Sequence, residues 1–191
     1  MPAAITSITT ERLLLRPWRP SDRAPFAALN ADPRVMEWFP STLGRAQSDA
    51  MAELIEQRLL LQGWGLWAVE LPGIADFIGF VGLNPDAATI GEPVVEVAWR
   101  LAAEHWGHGY APEAATASLA HGFGTLGLEQ IVAFTAVGNA KSRRVMEKIG
   151  MTRDEAGDFE HPRIAAGSPV RAHVLYRISR GEFERASAAS G

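Results

Sequence analysis

Two glycines between a predicted strand and a predicted helix constrain this chain more than any other feature. Residues Val94–Leu101 alternate side chains between two faces, which is typical of a strand, and Pro112 suits the first turn of the helix that follows. Gly107 and Gly109 lie between the two elements, and glycine lets a backbone turn sharply or approach a ligand closely. A helix start adds unpaired N–H groups and the positive end of the helix dipole. The unit therefore predicts either an anion site, most often for phosphate, or a tight turn without a ligand.

Two common phosphate-binding motifs do not fit this loop. No Gly-Lys-Ser/Thr sequence follows the glycines, so the loop is not of the Walker type. Position 112 is proline where a dinucleotide-binding fingerprint needs its third glycine, which excludes that fingerprint as well.

The rest of the chain alternates between strand-like and helix-like segments. Strands are predicted at residues 13–15, 66–71, 77–83, 94–101, 131–137, around Phe159 and at 172–178. Helices are predicted at about 22–30, 45–62, 112–125 and 139–150, and residues 84–93 are predicted to form a loop. With 191 residues, this order predicts a single mixed α/β domain over residues 1–185, followed by a flexible tail over 186–191.

Composition excludes several functional classes. The chain has no cysteine, which rules out a disulfide scaffold, a Cys-ligated zinc site and a cysteine nucleophile, and suits the reducing cytoplasm. Its 18 basic and 22 acidic residues give a net charge of −4, so it lacks the basic character of a general nucleic-acid binder. No apolar run approaches the roughly 20 residues that span a membrane. The five histidines show no zinc-binding spacing, and we expect no metal.

Several segments together resemble the GNAT acetyltransferase superfamily. The two cofactor motifs of that family are matched by residues 95–101 with 106–114, and by residues 139–151. Residues 10–13 and 173–177 resemble the RimJ and RimL branch, the ribosomal-protein N-terminal acetyltransferases. The resemblance implies a mostly antiparallel sheet flanked by helices, with a V-shaped splay between two central parallel strands. One departure is Glu104, where the family often has Gln or Arg.

The same resemblance implies that acetyl-CoA is the acetyl donor. Its pantetheine arm would lie between the strand that ends at Leu101 and the strand at 131–137. The implied cofactor-binding residues are Trp99, Arg100, Leu101, Trp106, Gly107, His108, Gly109, Tyr110, Ala111, Asn139 and Ser142. Asn139 has a second interpretation as a helix N-cap, and both roles are compatible.

Two residues are candidates for the chemistry. Glu96 is the candidate general base for the acceptor amine, and the alternative is an ion-paired glutamate without a catalytic role. Ser142 is the candidate general acid, acting through a relay or a simple hydrogen bond. The alternative is that its hydroxyl satisfies backbone groups in the first turn of its helix.

The family resemblance implies a primary amine as the acceptor, either on a protein N-terminus or on a small molecule. It also implies a homodimer. Trp38, Trp64 and Trp67 are candidates for an apolar acceptor cleft, although core packing explains tryptophans equally well. Two other functions remain open: a catalytically silent acyl-CoA-binding or sensor domain, and an interaction domain that binds no CoA.

Overall fold

The protein folds around one eight-stranded sheet, as seen in a computed structural model that describes residues 5–86 and 89–189. The strands lie in the order β1-β2-β3-β4-β5-β6-β8-β7. They are β1 (Ile8–Thr9), β2 (Leu14–Arg16), β3 (Leu66–Leu71), β4 (Ala75–Asp86), β5 (Val94–Leu101), β6 (Gln130–Ala136), β7 (Thr152–Glu160) and β8 (Ala172–Ser179). The helices are α1 (Arg23–Ala31), α2 (Arg45–Gln62), α3 (Tyr110–Gly124), α4 (Ala140–Lys148) and α5 (Arg180–Ala188).

The predicted V-shaped splay is confirmed between β5 and β6. All other neighbouring strands pair in antiparallel fashion, whereas β5 and β6 are parallel. Within the described residues, their register has a single pair, Glu96 with Val132. Beyond that pair β5 runs on to Leu101 and β6 to Ala136 without further pairing, so the sheet opens at this point.

Helices cover both faces of the sheet and bury its core. On one face, the ring of Phe26 in α1 packs edge-on against Phe80 of β4, with centroids 6.0 Å apart. On the other face, the ring of Trp67 in β3 packs against the ring of His121 in α3, with centroids 5.5 Å apart. Phe80 pairs in register with Arg100, so the even-numbered residues of β5, including Glu96, lie on the α1 side. The predicted division of β5 into two faces is therefore correct.

Two strands are longer than the sequence predicts. β4 continues through Pro85 to Asp86, into the segment expected to be a loop. Proline is tolerated there because β3 pairs with β4 only as far as Gly82, which leaves that side of Pro85 without a strand partner. β7 covers Thr152–Glu160 and not only the neighbourhood of Phe159.

The C-terminal helix α5 was not predicted. It begins after Ser179, whose hydroxyl accepts a hydrogen bond from the Glu182 backbone N–H while the Glu182 carboxylate accepts one from the Ser179 N–H. Residues 186–188 of the expected tail form its last turn, and residues 190–191 lie outside the described part of the chain. No helix in the described ranges is long and apolar enough to cross a bilayer.

Candidate active site

The splay between β5 and β6 opens into a cleft of about 640 Å³. Its walls are the glycine loop with the start of α3, the exposed side of α4, the loop between α1 and α2, and the segment that leads from β7 to β8. A cavity of this size is typical of a small-molecule or cofactor site. The residues predicted for the site line it with one exception: Glu96, Trp99, Arg100, Leu101, Trp106, Gly107, Gly109, Tyr110, Ala111, Asn139 and Ser142.

His108 is the exception, because it lies outside the cleft lining. Its ring stacks on Tyr110 with centroids 5.5 Å apart, and its carbonyl oxygen accepts a hydrogen bond from Arg12. The side chain is therefore exposed outside the cleft, whereas the backbone N–H of His108 has no backbone acceptor among the described residues and can serve a ligand.

The glycine loop presents a run of free backbone donors. Gly107 and Gly109 both adopt left-handed backbone conformations, with φ of 82° and 81°. The N–H groups of residues 107–111 find no backbone acceptor in the described part of the chain, and α3 starts at Tyr110. Consecutive free N–H groups at the start of a long helix bind anions well, since they add to the helix dipole. The loop thus has the chemistry of a phosphate cradle.

An ion pair between Arg12, near the start of the chain, and Glu113 of α3 braces this loop. The Glu113 carboxylate, in the first turn of α3, accepts hydrogen bonds from the Thr10 hydroxyl at 2.6 Å and from Arg12 Nε at 2.7 Å. Arg12 also donates to the His108 carbonyl at 2.9 Å. Burial alone would raise the pKa of Glu113, but the hydrogen bonds from Thr10 and Arg12 outweigh it and lower that pKa. The brace is therefore fully formed above the ordinary pKa of glutamate and is lost as the pH falls through the lowered value.

Removing the charge of this brace is expected to weaken cofactor binding. We predict that Glu113→Gln raises the Kd for acetyl-CoA by about 3- to 10-fold, because a charged hydrogen-bond network of roughly 1 kcal/mol no longer holds the loop. Glu56→Gln is the matched control, since it breaks the Arg23–Glu56 pair between α1 and α2, away from the cleft. Calorimetric titration measures the Kd for acetyl-CoA of both variants. A Glu113→Gln protein with the Kd of the wild type would contradict a bracing role.

Asn139 and Ser142 fix the opposite wall. Asn139 Oδ1 accepts a hydrogen bond from the Ser142 backbone N–H at 3.1 Å, so Asn139 is the N-cap of α4. Its Nδ2 donates to the Thr135 hydroxyl at 3.0 Å, which ties the cap to β6. The Ser142 hydroxyl bonds to no described residue, so the backbone-satisfying alternative does not account for it. It remains able to donate to a bound group.

Cations stand along the rim of the same wall. Lys141, Arg144 and Lys148 all lie on α4, line the cleft and are exposed. The Lys141 ammonium sits 4.2 Å from the ring centre of Trp106, and Trp106 Nε1 donates to the Leu101 carbonyl at 2.9 Å. The glycine loop and α4 thus face each other with positive charge on one side and free amides on the other, which suits a polyphosphate.

The remaining walls combine a carboxylate with aromatic side chains. Glu96 is half-buried at the vertex of the splay, and its Oε2 accepts a hydrogen bond from Asn84 Nδ2 at 3.3 Å. Trp38, from the loop between α1 and α2, packs against a small apolar cluster of Ala136, Ile164 and Val170. Burial lowers the pKa of His173, despite its hydrogen bond to the Arg171 carbonyl, so the ring is neutral near pH 7 and does not repel an ammonium group.

Of the three tryptophans considered for an acceptor cleft, only Trp38 lines it. Trp67 is fully buried and Trp64 packs against the main core. Among the described residues, no group of three or more His, Asp or Glu side chains is arranged to hold a metal ion.

Sequence reasoning missed the brace and the rim lysines. Arg12 and Glu113 are 101 residues apart, and nothing local indicates that they meet. Thr10 and Arg12 belong to a segment that carries the family resemblance, which was the one available hint. The rim lysines are ordinary exposed charges until the position of α4 is known.

Comparisons with known proteins agree with this geometry. A family model described as "Acetyltransferase (GNAT) domain" matches residues 12–152. The chain is 32% identical over 148 residues to an uncharacterized N-acetyltransferase, YnaD, of Bacillus subtilis, covering 77% of this chain and 83% of that protein. An acetyltransferase of the GNAT family from Bacillus anthracis superposes with a TM-score of 0.77 at 26% identity, over 92% of this chain and 99% of that one. Mycobacterium smegmatis RimJ, solved in complex with CoA-disulfide, shares the fold with a TM-score of 0.72 at 19% identity, over 99% and 95% of the two chains.

Proposed function

Since this chain belongs to the GNAT acetyltransferase family and is an N-acetyltransferase, we propose that it transfers the acetyl group of acetyl-CoA directly to a primary amine. The amine belongs to a protein N-terminus or to a small molecule. The observation that carries the proposal is the cleft at the splay, where a loop of free amides and the Glu96 carboxylate line one cavity.

The residues of the cleft fit acetyl-CoA. The free N–H groups of residues 107–111 suit its pyrophosphate, and Lys141, Arg144 and Lys148 supply further positive charge. Beyond Glu96, the backbone of β5 has no partner in β6, so it offers hydrogen bonds to an extended pantetheine arm. The CoA compound bound to RimJ, a protein of the same fold, supports this assignment. When bound, the donor supplies an acetyl thioester.

In the proposed reaction, Glu96 accepts a proton from the acceptor amine, directly or through a water molecule. A C–N bond forms as the thioester C–S bond breaks, and the sulfur leaves with the electron pair and takes up a proton. Ser142 donates a hydrogen bond to that sulfur. Backbone N–H groups of β5 that face the splay stabilise the negative charge that develops on the acetyl oxygen. No covalent acetyl-enzyme is required.

Ser142 gives a modest test of this assignment. We predict that Ser142→Ala lowers kcat by about 3- to 10-fold, the cost of one net hydrogen bond of roughly 1 kcal/mol, and leaves the Kd of acetyl-CoA within about twofold. The hydroxyl makes no bond within the described residues, so the variant keeps its helix cap through Asn139. Steady-state kinetics with calorimetry measures both quantities, and an unchanged kcat would remove Ser142 from the mechanism.

The proposed function is tested by offering the protein acetyl-CoA with a panel of amines. The panel contains small amines, amino acids and peptides with free N-termini, with N-terminally blocked peptides as controls. We expect release of free CoA thiol that depends on the amine, and a product heavier by one acetyl group in mass spectrometry. A protein that binds acetyl-CoA but acetylates no amine would instead support the silent binding or sensor domain.

A further inference from the structure

Arg100 is a buried cation in the wall of the cleft. Its side chain lies on the same face of β5 as Glu96, and only 9% of the residue is exposed. Burial lowers the pKa of Arg100 to about 10, so the guanidinium remains charged near pH 7. A buried charge is costly unless it is paired, and an unpaired one calls for an explanation.

The protein supplies little to neutralise this charge. Nη1 donates to Asn30 Oδ1 at 2.6 Å and lies 3.8 Å from Met51 Sδ. Nε is buried without a hydrogen-bond partner. No carboxylate among the described residues forms an ion pair with Arg100, whereas Arg34, another arginine of the cleft, pairs with Asp32.

Aromatic rings hold the guanidinium in place. Its central carbon is 4.2 Å from the ring centre of Phe39 and 5.5 Å from that of Phe80. Phe80 is buried, while Phe39 is 37% exposed and comes from the loop between α1 and α2. Rings that stack on the faces of a guanidinium leave its edge as the hydrogen-bonding side. A planar carboxylate is the group that best matches that edge.

We propose that Arg100 binds a carboxylate of the acceptor, so that the preferred acceptors are small amines that also carry a carboxylate. This inference rests on the proposed acetyl transfer and extends it to the substrate class. Glu96 and Arg100 are four residues apart on one strand face, so their Cα atoms are separated by roughly 13 Å at about 3.3 Å per residue. The cleft should therefore select among acceptors by the distance between their amine and their carboxylate.

The test compares acids with their neutral amides. The acceptors are a series of ω-amino carboxylic acids, from glycine to 6-aminohexanoic acid, and the corresponding amino amides. For the wild type we expect a KM lower by about 10- to 100-fold for the best acid than for its amide. Arg100→Met removes the charge and keeps the bulk, so it should abolish this ratio. Arg100→Lys keeps the charge without the planar fork and should preserve part of it.

Arg34→Met is the matched control, because it makes the same change at a cleft arginine that Asp32 already neutralises. This variant should leave the ratio between the KM values for the acid and the amide unaltered. Acetyl-CoA titration checks that every variant is folded and binds the donor. The inference would be overturned if the wild-type protein had equal KM values for acids and amides, or if Arg100→Met left the ratio of these KM values unaltered. Acetylation of either class of amine would still uphold the proposed function.

A binding measurement separates the two failures. If no amine is acetylated, the proposed function fails, and titration of the CoA-bound protein with the same acids and amides still decides the role of Arg100. Binding of an acid that Arg100→Met weakens by at least tenfold, with no effect on the amide, supports the carboxylate site. A loss of acetyl-CoA affinity in Arg100→Met without selectivity between acids and amides would assign Arg100 to the donor and contradict the proposal.

Discussion

Replacing Glu96 by glutamine is expected to lower kcat by about 100- to 1,000-fold, the lower part of the range that a positioned general base contributes. Glutamine has nearly the same shape and can still contact Asn84, but it cannot accept the proton of the acceptor amine. The Kd for acetyl-CoA should change by less than about twofold, since the loop amides and the α4 cations are untouched. Steady-state kinetics with a saturating amine, together with calorimetry, measures this division between catalysis and binding.

Glu104→Gln is the matched control for this experiment. It removes the same charge from an exposed position just before the glycine loop, outside the cleft lining. We expect it to retain wild-type kcat. A Glu96→Gln protein that keeps full turnover across neutral pH would exclude Glu96 as the base, and the ion-paired alternative would then account for this residue.

The second large effect is expected from Gly109→Val. The residue has φ of 81°, where a β-branched side chain is strained by roughly 1–2 kcal/mol, and the loop relaxes by turning its amides. An added Cβ would meet only Arg12 Nη2, at 3.4 Å, so the backbone conformation is the main constraint. Binding must hold the loop against that strain, which predicts a Kd for acetyl-CoA about 5- to 30-fold higher.

Gly73→Val supplies the same backbone strain elsewhere. Gly73 has φ of 76°, lies in the turn between β3 and β4, and has no heavy atom within 4 Å of an added Cβ. We expect this variant to bind acetyl-CoA like the wild type, even if both variants lose a similar amount of thermal stability. Normal acetyl-CoA binding by a folded Gly109→Val protein would remove the loop from the cofactor site.

Local patterns predicted much of this fold. The alternation along β5, the glycines before α3 and Asn139 at the start of α4 are all read from neighbouring residues, and each is found as expected. Helix α5 also has a local signal, because Ser179 and Glu182 have the spacing of a capping box. The extension of β4 through Pro85 was not readable, since it depends on where β3 stops pairing.

The site was less predictable than the fold, because its geometry depends on contacts between distant segments. The brace of Arg12 and Glu113 joins residues 101 positions apart, and Arg100 meets Asn30 across 70 positions. The family resemblance put Arg100 among the cofactor-binding residues, whereas the structure shows a buried side chain that lacks an acidic partner among the described residues. His108 shows the reverse, since its place in the motif does not bring its side chain into the cleft.

Calorimetric titration of the purified protein with acetyl-CoA, and separately with CoA, tests the central claim most directly. The free amides of the glycine loop, the α4 cations and the splay between β5 and β6 are expected to give one site per chain with micromolar affinity for both compounds. Folded protein that binds neither compound would contradict the account, and an interaction domain without CoA would then explain the chain better.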